Sequence, residues 1–230
     1  MDRLHPTYHA LMSTQPRRGD AGPIRHLPDT DLVAVVPIKS FTRAKGRLRP
    51  ALSADDRERL AVATATGVLQ ALRGVPTVVV CDDEAVADLA VHCGCEPMMT
   101  MTRGLNAVVA EAMEHLHHRG VARVMVAHAD LPRPEALTTI ATDRQLAIVP
   151  DHRLDGTNVL ILPSDEARCV TYGPGSFRRH LRALTALARD RHLRLDVIRD
   201  HQLGLDLDHP SDLSHPVTST TRHQGAPHDR

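Results

Sequence analysis

The sequence predicts an α/β fold in which a mainly parallel sheet lies between two layers of helices. Short, continuous apolar runs, such as LVAVVPI at 32–38, are typical of strands that are buried on both faces. These runs alternate with longer segments that carry helix caps, and alternation of this kind is typical of parallel sheets. The chain has 230 residues, which is enough for one domain with a sizeable core.

Seven strands and five main helices are predicted along the chain. The strands are expected at 32–38, 76–81, 95–100, 121–129, 145–150, 157–163 and 193–200. The helices are expected at 54–72, 83–93, 105–120, 134–142 and 176–192. The first helix has the clearest boundaries, because Ser53 precedes it, acidic residues fill its first turn and Gly74 follows its end.

The two ends of the chain are predicted to lie outside this domain. Residues 1–28 are rich in Pro, His and Arg, and residues 217–230 are similarly polar. We therefore expect a disordered leader and a disordered tail around a domain at 29–216. The first residues contain no apolar signal core, which indicates a cytoplasmic protein.

Composition argues against several classes of partner. The chain has 28 basic and 28 acidic residues, so a nucleic-acid partner is not expected. No run of 18 apolar residues exists, so no membrane span is expected either. The 4 cysteines form no CxxC pair, which indicates a reduced protein, although His92, Cys93 and Cys95 leave a zinc site open.

A basic loop, PIKSFTRAKGRL at 37–48, follows the end of the first predicted strand. It contains Lys39, Arg43, Lys45 and Arg47 and no acidic residue. Ligands of parallel α/β sheets bind beyond the carboxyl ends of the strands, where Lys and Arg can hold a polyphosphate without a glycine-rich loop. The alternative is a solvated surface loop.

We expect Lys45→Ala to leave the melting temperature nearly unchanged, since exposed charges contribute little stability.

Carboxylates from two distant segments form a candidate metal site. Asp130 ends an apolar strand, and LGLDLDHPSDL supplies Asp206, Asp208 and Asp212. Two carboxylates suit Mg²⁺, a hard cation that takes few protein ligands and shares phosphate oxygens. The alternative is that Asp130 caps a helix, and that Asp208 or Ser211 caps the short helix of PSDL.

A second candidate anion site lies in YGPGSFRRH at 172–180. A Gly-Pro-Gly turn precedes Ser176, which opens a basic helix, and the backbone N–H groups at a helix N-terminus bind anions well. The stretch DGTNVL places Thr157 and Asn158 at the start of a strand, where polar residues also suit a turn. Two anion sites and one metal site together suit transfer between two phosphorylated molecules.

These motifs together resemble the CofC/FbiD family of guanylyltransferases of coenzyme F420 biosynthesis. The resemblance covers roughly residues 31–215 and rests on VPIKSFTRAKGRL, RGLNAVV, HADLP, DGTNVLIL, YGPGSFRRHL and LDLDHPSDL, in that order. It implies a single Rossmann-like domain of the GT-A nucleotidyltransferase type. It also implies that GTP and Mg²⁺ are required, and that GMP is transferred to a small 2-phospho acid with release of pyrophosphate.

The resemblance further implies roles for individual residues. Three basic residues are expected to hold the triphosphate of GTP and to act in catalysis: Lys39, Lys45 and Arg47. Two residues are expected near the nucleoside: Leu105 and Asn106. Metal binding is expected from Asp130 and Asp206, with Asp208 as the rival for the second position. Three residues are expected to hold the phospho acid: Thr157, Gly173 and Ser176.

The acceptor and the partners stay open in this resemblance. Phosphoenolpyruvate, 2-phospho-L-lactate and a phosphoglycerate are all compatible, and phosphoenolpyruvate is expected first because the chain is closest to the bacterial branch. The product is labile in this family, which favours a downstream transferase as a partner. A homodimer is left open.

Two other functions are also left open: a nucleotidyltransferase acting on a molybdenum cofactor or a sugar phosphate, and a non-catalytic nucleotide-binding protein.

Overall fold

The computed structural model of the protein describes residues 31–141 and 144–215. The leader predicted at 1–28, the tail predicted at 217–230 and the domain boundaries predicted at 29 and 216 lie outside these described residues. Within the described ranges, no helix combines the length and the apolar character that crossing a bilayer requires.

The elements follow the predicted order. The strands are β1 (Leu32–Ile38), β2 (Thr77–Cys81), β3 (Glu96–Met99), β4 (Arg123–Ala127), β5 (Leu146–Pro150), β6 (Thr157–Pro163) and β7 (Leu195–Val197). The helices are α1 (Ala54–Ala71), α2 (Glu84–His92), α3 (Leu105–His118), α4 (Leu137–Ala141) and α5 (Ser176–Arg191). The strands β4 and β7 are shorter than predicted: each begins two residues later, and they end two and three residues earlier, respectively.

Local sequence explains where the helices begin. The Ser53 hydroxyl and the Asp83 carboxylate each accept a hydrogen bond from a backbone N–H in the first turn of α1 and α2, at 3.1 and 3.0 Å. The helices α3 and α5 begin after Gly104 and Gly175, whose φ angles are 92° and 70°. Glycine adopts these angles without strain, so these two residues fix how the chain enters both helices.

The strand order in the sheet is β3-β2-β1-β4-β6-β5-β7. The strands β1 to β4 run parallel to one another, and β5 runs parallel to β7. The strand β6 runs antiparallel to both of its neighbours, β4 and β5. The predicted α/β class with a mainly parallel sheet between helices is confirmed.

The reversed direction of β6 brings its first residues to the edge where the parallel strands end. Val159 pairs with Ala127, the last residue of β4. The N–H of His128 donates to the carbonyl oxygen of Asn158 at 3.0 Å. Thr157 and Asn158 therefore lie beside the segment that leads from β4 to Asp130. The sequence indicates a strand at 157–163 but does not indicate its direction.

Two apolar layers cover the sheet. On one face Ala34 and Val36 of β1 belong to a core shared with α1, α2 and α4. On the other face Val33 and Val35 belong to a core shared with α3 and α5. Burial on both faces explains why the strands are continuous apolar runs rather than alternating ones.

We expect Met113→Ala to lower the free energy of unfolding by about 2–5 kcal/mol, the usual cost of truncating a buried Met side chain. Met113 lies on the inner face of α3 and is 0% exposed. Met101→Ala is the matched control, because Met101 is 94% exposed and exposed substitutions change stability by about 0.5 kcal/mol or less. Urea unfolding curves would measure both effects, and equal effects would contradict the burial of Met113.

Candidate active site

A cavity of about 990 Å³ opens at the carboxyl edge of the sheet. Its walls come from the residues that follow β1, β2, β3 and β4, with α1 and the start of α3 completing them. Part of the basic loop lines this cavity, as do Asp82, Asp130 and Asp208. Cationic and anionic side chains therefore face the same space.

Two buried apolar residues anchor the basic loop against the core. Phe41 and Leu48 belong to two short 3₁₀ turns, Phe41–Arg43 and Gly46–Leu48. Between these turns Lys45 has φ 55° and ψ 36°, a left-handed conformation that costs a non-glycine residue roughly 1 kcal/mol or more. Such a strained backbone conformation persists only where surrounding contacts stabilise it. Here the contacts of the Lys45 side chain keep it at the carboxyl edge of the sheet.

Lys45 joins three distant parts of the chain. Its ammonium group donates to the carboxylate of Asp130 at 2.8 Å and to the carbonyl oxygen of Leu207 at 2.8 Å. The Lys45 side chain is only 7% exposed. The expectation that Lys45 is an exposed charge is therefore wrong. We now expect its removal to lower stability, because removing one partner of a buried ion pair leaves the other charge uncompensated.

The other basic residues of the loop are more exposed. Arg47 pairs with Asp208, and Arg43 pairs with Asp82 at 2.7 Å. The two Arg side chains are 66% and 63% exposed, so these pairs contribute little to stability and can exchange a carboxylate for a phosphate. Lys39 is exposed and lines the cavity.

The carboxylates Asp130 and Asp206 carry opposite pKa shifts. Burial acts to raise the pKa of Asp130, but the charge and hydrogen bond of Lys45, together with His128 and a backbone hydrogen bond, outweigh burial, and the pKa is lowered. Burial raises the pKa of Asp206 to about 7, with further contributions from the negative charges of Asp130, Asp151 and Asp208. Asp206 therefore lies in a strongly negative environment that favours the binding of positive charge.

One oxygen of each carboxylate fits a cation. The Oδ1 atoms of Asp130 and Asp206 are buried and have no hydrogen-bond partner among the described residues. Buried charged oxygens are costly unless they are paired, and a divalent cation would pair both. Within the described ranges no group of three or more His, Cys, Asp or Glu side chains forms a metal site. A cation here would complete its shell with phosphate oxygens and water.

Asp212 caps the turn at Pro210–Ser214. Its carboxylate accepts hydrogen bonds from the backbone N–H groups of Asp208 and His209 at 3.0 and 2.7 Å. The alternative that Asp208 or Ser211 caps this turn is therefore wrong. The side chain of Asp208 is left to face the cavity.

The residues expected to hold the acceptor lie behind the open cavity. Thr157 is 1% exposed and Ser176 is 2% exposed, whereas Gly173 is exposed and has a φ of 122°. These residues do not line the cavity at the basic loop. In this structure the side chains of Thr157 and Ser176 are buried and do not contact the open cavity.

The first turn of α5 is bonded to the protein itself. The N–H of Gly175 lies 3.1 Å from each carboxylate oxygen of Asp155, and the N–H of Phe177 donates to the Asp155 carbonyl oxygen at 2.9 Å. The N–H of Ser176 donates to the carbonyl oxygen of Gly173 at 3.0 Å. The anion position predicted at this helix is thus taken by the Asp155 side chain, which a phospho acid would have to replace.

Leu105 and Asn106, the first residues of α3, have different surroundings. Leu105 lines the cavity. The side chain of Asn106 bonds both backbone groups of Tyr172, since its Oδ1 accepts from the N–H at 2.6 Å and its Nδ2 donates to the carbonyl oxygen at 3.2 Å. Asn106 therefore holds the loop that precedes α5, whereas Leu105 faces the space available to a nucleoside.

Three rings connect this loop with the segment that leads to Asp130. The ring of Tyr172 lies 5.1 Å from the ring of His128 and 4.8 Å from the ring of His180. The Tyr172 hydroxyl and the Nε2 of His128 are buried and have no hydrogen-bond partner in the described part of the chain. Burial raises the pKa of Tyr172 and lowers that of His128, so both side chains are neutral at physiological pH.

Comparison with known proteins identifies the family. The model of the CofC-like guanylyl transferase family matches residues 32–220. The chain belongs to this family. It is 32% identical over 190 residues to a phosphoenolpyruvate guanylyltransferase of Sphaerobacter thermophilus, which covers 79% of this chain and 90% of the relative. It is 28% identical over 185 residues to a 2-phospho-L-lactate guanylyltransferase of Methanocaldococcus jannaschii, which covers 78% and 79% respectively.

The fold of this guanylyltransferase is shared with solved nucleotidyltransferase structures. A protein from Desulfovibrio desulfuricans described as a nucleotide-diphospho-sugar transferase superposes with a TM-score of 0.64 at 14% identity, over 84% of this chain and 94% of that protein. The expected Rossmann-like nucleotidyltransferase fold is confirmed. The family match confirms that the chain is an enzyme of the guanylyltransferase class.

Several cavity residues of the guanylyltransferase lie outside the set predicted from sequence. Asp82 follows β2, and residues 100–104 follow β3, at the same edge as the basic loop. The rule that ligands bind beyond the carboxyl ends of strands applies to them and could have identified them. His128 also follows the end of a strand, β4, and begins the HADLP motif, although no role was predicted for it.

Lys45→Ala should lower the free energy of unfolding of the metal-free guanylyltransferase by about 3 kcal/mol, the lower end for breaking a buried ion pair. The lower end applies because the partner, Asp130, is 27% exposed and keeps some contact with water. Lys39→Ala is the matched control at an exposed position of the same loop, with an expected change of about 0.5 kcal/mol or less. Denaturant unfolding in the presence of a chelator would measure both, and equally small changes would refute the buried pair.

Asp206→Asn should raise the melting temperature of the metal-free guanylyltransferase, and by more at pH 8 than at pH 5. The pKa of Asp206 is about 7 in the folded protein and about 3.9 in an unfolded chain. The folded state therefore binds this proton more tightly, and stability is lost as the pH rises through 7. Asn cannot ionise, so it removes this loss.

Asp88→Asn, on the exposed side of α2, is the control for this experiment and should show no gain that depends on pH. Thermal unfolding at both pH values gives the comparison. A gain of equal size at pH 5 and pH 8 for Asp206→Asn would mean that the pKa of Asp206 is not raised.

Proposed function

We propose that this chain transfers GMP from GTP to a small 2-phospho acid, with release of pyrophosphate, in coenzyme F420 biosynthesis. The observation that carries this proposal is the shared cavity, in which Lys45 and Arg47 meet Asp130 and Asp208. A basic loop beside paired carboxylates suits a nucleoside triphosphate together with a divalent cation. The names of the relatives, phosphoenolpyruvate and 2-phospho-L-lactate guanylyltransferase, support the acceptor class.

The basic loop supplies the charge that a triphosphate needs. We assign Lys39, Lys45 and Arg47 to the phosphates, where their charges stabilise the pyrophosphate as it leaves. The nucleoside then lies toward Leu105, which lines the cavity at the start of α3. Asn106 acts indirectly in this arrangement, because its side chain holds the backbone of the loop before α5.

Asp130 and Asp206 are the residues that would hold Mg²⁺. When bound, the cation neutralises phosphate charge and helps to align the triphosphate. Asp206 is preferred over Asp208 as the second ligand, although Asp208 lines the cavity, where it pairs with the exposed Arg47. The Oδ1 of Asp206, in contrast, is buried without a partner among the described residues.

We assign the acceptor to Thr157, Gly173 and Ser176. These residues belong to two segments that lie beside the end of β4: the start of β6 and the turn that leads into the first residue of α5. The Asp155 carboxylate bonds the N–H of Gly175, so the acceptor would have to displace this side chain. Its phosphate or carboxylate would then accept from the Gly175 N–H in place of Asp155.

A phosphate monoester needs no general base to act as the acceptor. Its second pKa is about 6, so it is a dianion at neutral pH. One of its oxygens attacks the α-phosphorus of GTP and forms a new P–O bond. The bond from the α-phosphorus to the oxygen shared with the β-phosphorus breaks, and pyrophosphate leaves with the electron pair. The main obstacle is repulsion between the two anions, which Lys39, Lys45 and Arg47 reduce.

We propose phosphoenolpyruvate as the preferred acceptor, with 2-phospho-L-lactate also accepted and a phosphoglycerate third. Identity is 32% to the phosphoenolpyruvate enzyme and 28% to the phospholactate enzyme. The three acids differ at the third carbon, which is a methylene, a methyl or a polar group. A site without a polar partner rejects an added hydroxyl only weakly, whereas a site built for the hydroxyl strongly rejects acids that lack it.

Incubation with GTP, Mg²⁺ and each acid separately should release pyrophosphate, and fastest with phosphoenolpyruvate. Mass spectrometry should show a product that joins GMP to the acid.

Asp130→Asn should fold and reduce turnover at least about a hundredfold, the scale of losing a key electrostatic stabiliser. The control Asp88→Asn should keep full activity.

A strong preference for phosphoglycerate would reverse the proposed order of acceptors. If none of the three acids yields pyrophosphate and a guanylylated product, the proposed reaction is wrong.

A further inference from the structure

His180 is a fully buried polar side chain between the two segments assigned to the acceptor. It lies in α5 and is 0% exposed. Its Nε2 lies 2.8 Å from the backbone nitrogen of Thr171, and its Nδ1 lies 3.0 Å from Oγ1 of Thr157. One ring therefore bridges the start of β6 and the loop that precedes α5.

The bond from Thr171 fixes the tautomer of this ring. A backbone N–H only donates, so Nε2 accepts, and the hydrogen of the neutral ring lies on Nδ1. The Nδ1–H then donates to the hydroxyl oxygen of Thr157, which leaves the hydroxyl hydrogen available for a ligand. Burial, assisted by the charge of Arg179, lowers the pKa of His180 to about 4, so the ring is neutral at physiological pH.

The same ring is connected by packing to the metal end of the site. The rings of Tyr172 and His180 pack edge to face, with an interplanar angle of 78°. The Tyr172 ring also packs against the ring of His128, which precedes Asp130 by two residues. A displacement of His180 would therefore shift the acceptor segments relative to Asp130.

We propose that His180 is a positioning residue for the acceptor, which sets the Thr157 hydroxyl as a hydrogen-bond donor and holds the loop at 171–175 against the start of β6. This inference rests on the proposed function, because it requires Thr157 to contact the phospho acid. The GTP end of the cavity is formed by the basic loop and the start of α3. The effect of His180 should therefore fall on the acceptor rather than on GTP.

A purely structural role for His180 leads to a different expectation. Leu184 follows four residues later, on the same face of α5, and is also fully buried in the core. Leu184→Ala removes packing without touching Thr157 or Thr171, so it should lower the melting temperature and leave both KM values unchanged. If His180 only filled space, its variants would behave in the same way.

Two amide variants separate the two hydrogen bonds of His180. In His180→Asn the amide nitrogen can overlay Nδ1 and keep the donation to Thr157. In His180→Gln the amide oxygen can overlay Nε2 and keep the bond from Thr171. We expect His180→Gln to raise the KM for phosphoenolpyruvate about tenfold, the scale of one hydrogen bond, with the KM for GTP changed less than about twofold. His180→Asn should keep more of the acceptor affinity.

A double-mutant cycle tests whether His180 acts through Thr157. Thr157→Val removes the hydroxyl at nearly constant volume and should itself raise the KM for phosphoenolpyruvate about tenfold. In that background His180→Gln should add less than about a further twofold, because the bond is already absent. Nitrogen-15 NMR of the unmodified protein reads the tautomer independently of activity and should place the ring hydrogen on Nδ1.

Four results would overturn the positioning role. Three are a ring hydrogen on Nε2, additive effects in the cycle, and parallel increases in both KM values that follow the loss of stability; the fourth is unchanged kinetics in both His180 variants. If the unmodified protein turns over and both His180 variants match it, the role of His180 fails while the proposed function stands. If the unmodified protein forms no product with any of the three acids, the proposed function fails and this inference fails with it.

Discussion

The site depends on the ion pair between the Lys45 ammonium group and the Asp130 carboxylate. The same ammonium group bonds the carbonyl oxygen of Leu207, and the N–H of Leu207 donates to the carbonyl oxygen of Asp130 at 3.2 Å. Three segments that follow different elements are thereby fixed to one another. Little water reaches the Lys45 side chain, so the attraction is stronger than at an exposed position. This contact holds the segment that carries Asp206 and Asp208 next to Asp130.

The distribution of charge explains how a chain with no net charge can accept a polyanion. The basic loop and the carboxylates face the same cavity, and in this structure they neutralise one another through Lys45–Asp130 and Arg47–Asp208. A triphosphate that binds together with a divalent cation offers negative charge to the basic loop and positive charge to the carboxylates. Such a ligand can therefore replace these internal ion pairs and leave neither the basic nor the acidic side chains uncompensated. An uncompensated charge is the usual cost of binding a charged ligand in a sheltered site.

The part of the site that we propose for the acceptor is organised by hydrogen bonds and ring packing. Asp155 occupies the first N–H of the α5 turn, and His180 bridges Thr157 and Thr171. These contacts fix the segment before α5 relative to the start of β6. A site of this kind gains specificity from geometry, because a buried hydrogen-bonding group discriminates strongly between ligands that satisfy it and ligands that do not.

The sequence by itself determined the fold class, the order of the elements and the edge of the sheet at which the basic loop and Asp130 lie. Buried parallel strands must be continuous apolar runs, and their carboxyl ends must share one edge, so the basic loop and Asp130 could be placed together in advance. The tertiary structure alone decided that β6 runs antiparallel, that Lys45 is buried, that Asp155 fills the start of α5 and that His180 bridges two segments. The bonds of Lys45 span 85 and 162 residues along the chain. No local pattern encodes such contacts, because they arise only when the sheet order brings separate segments together.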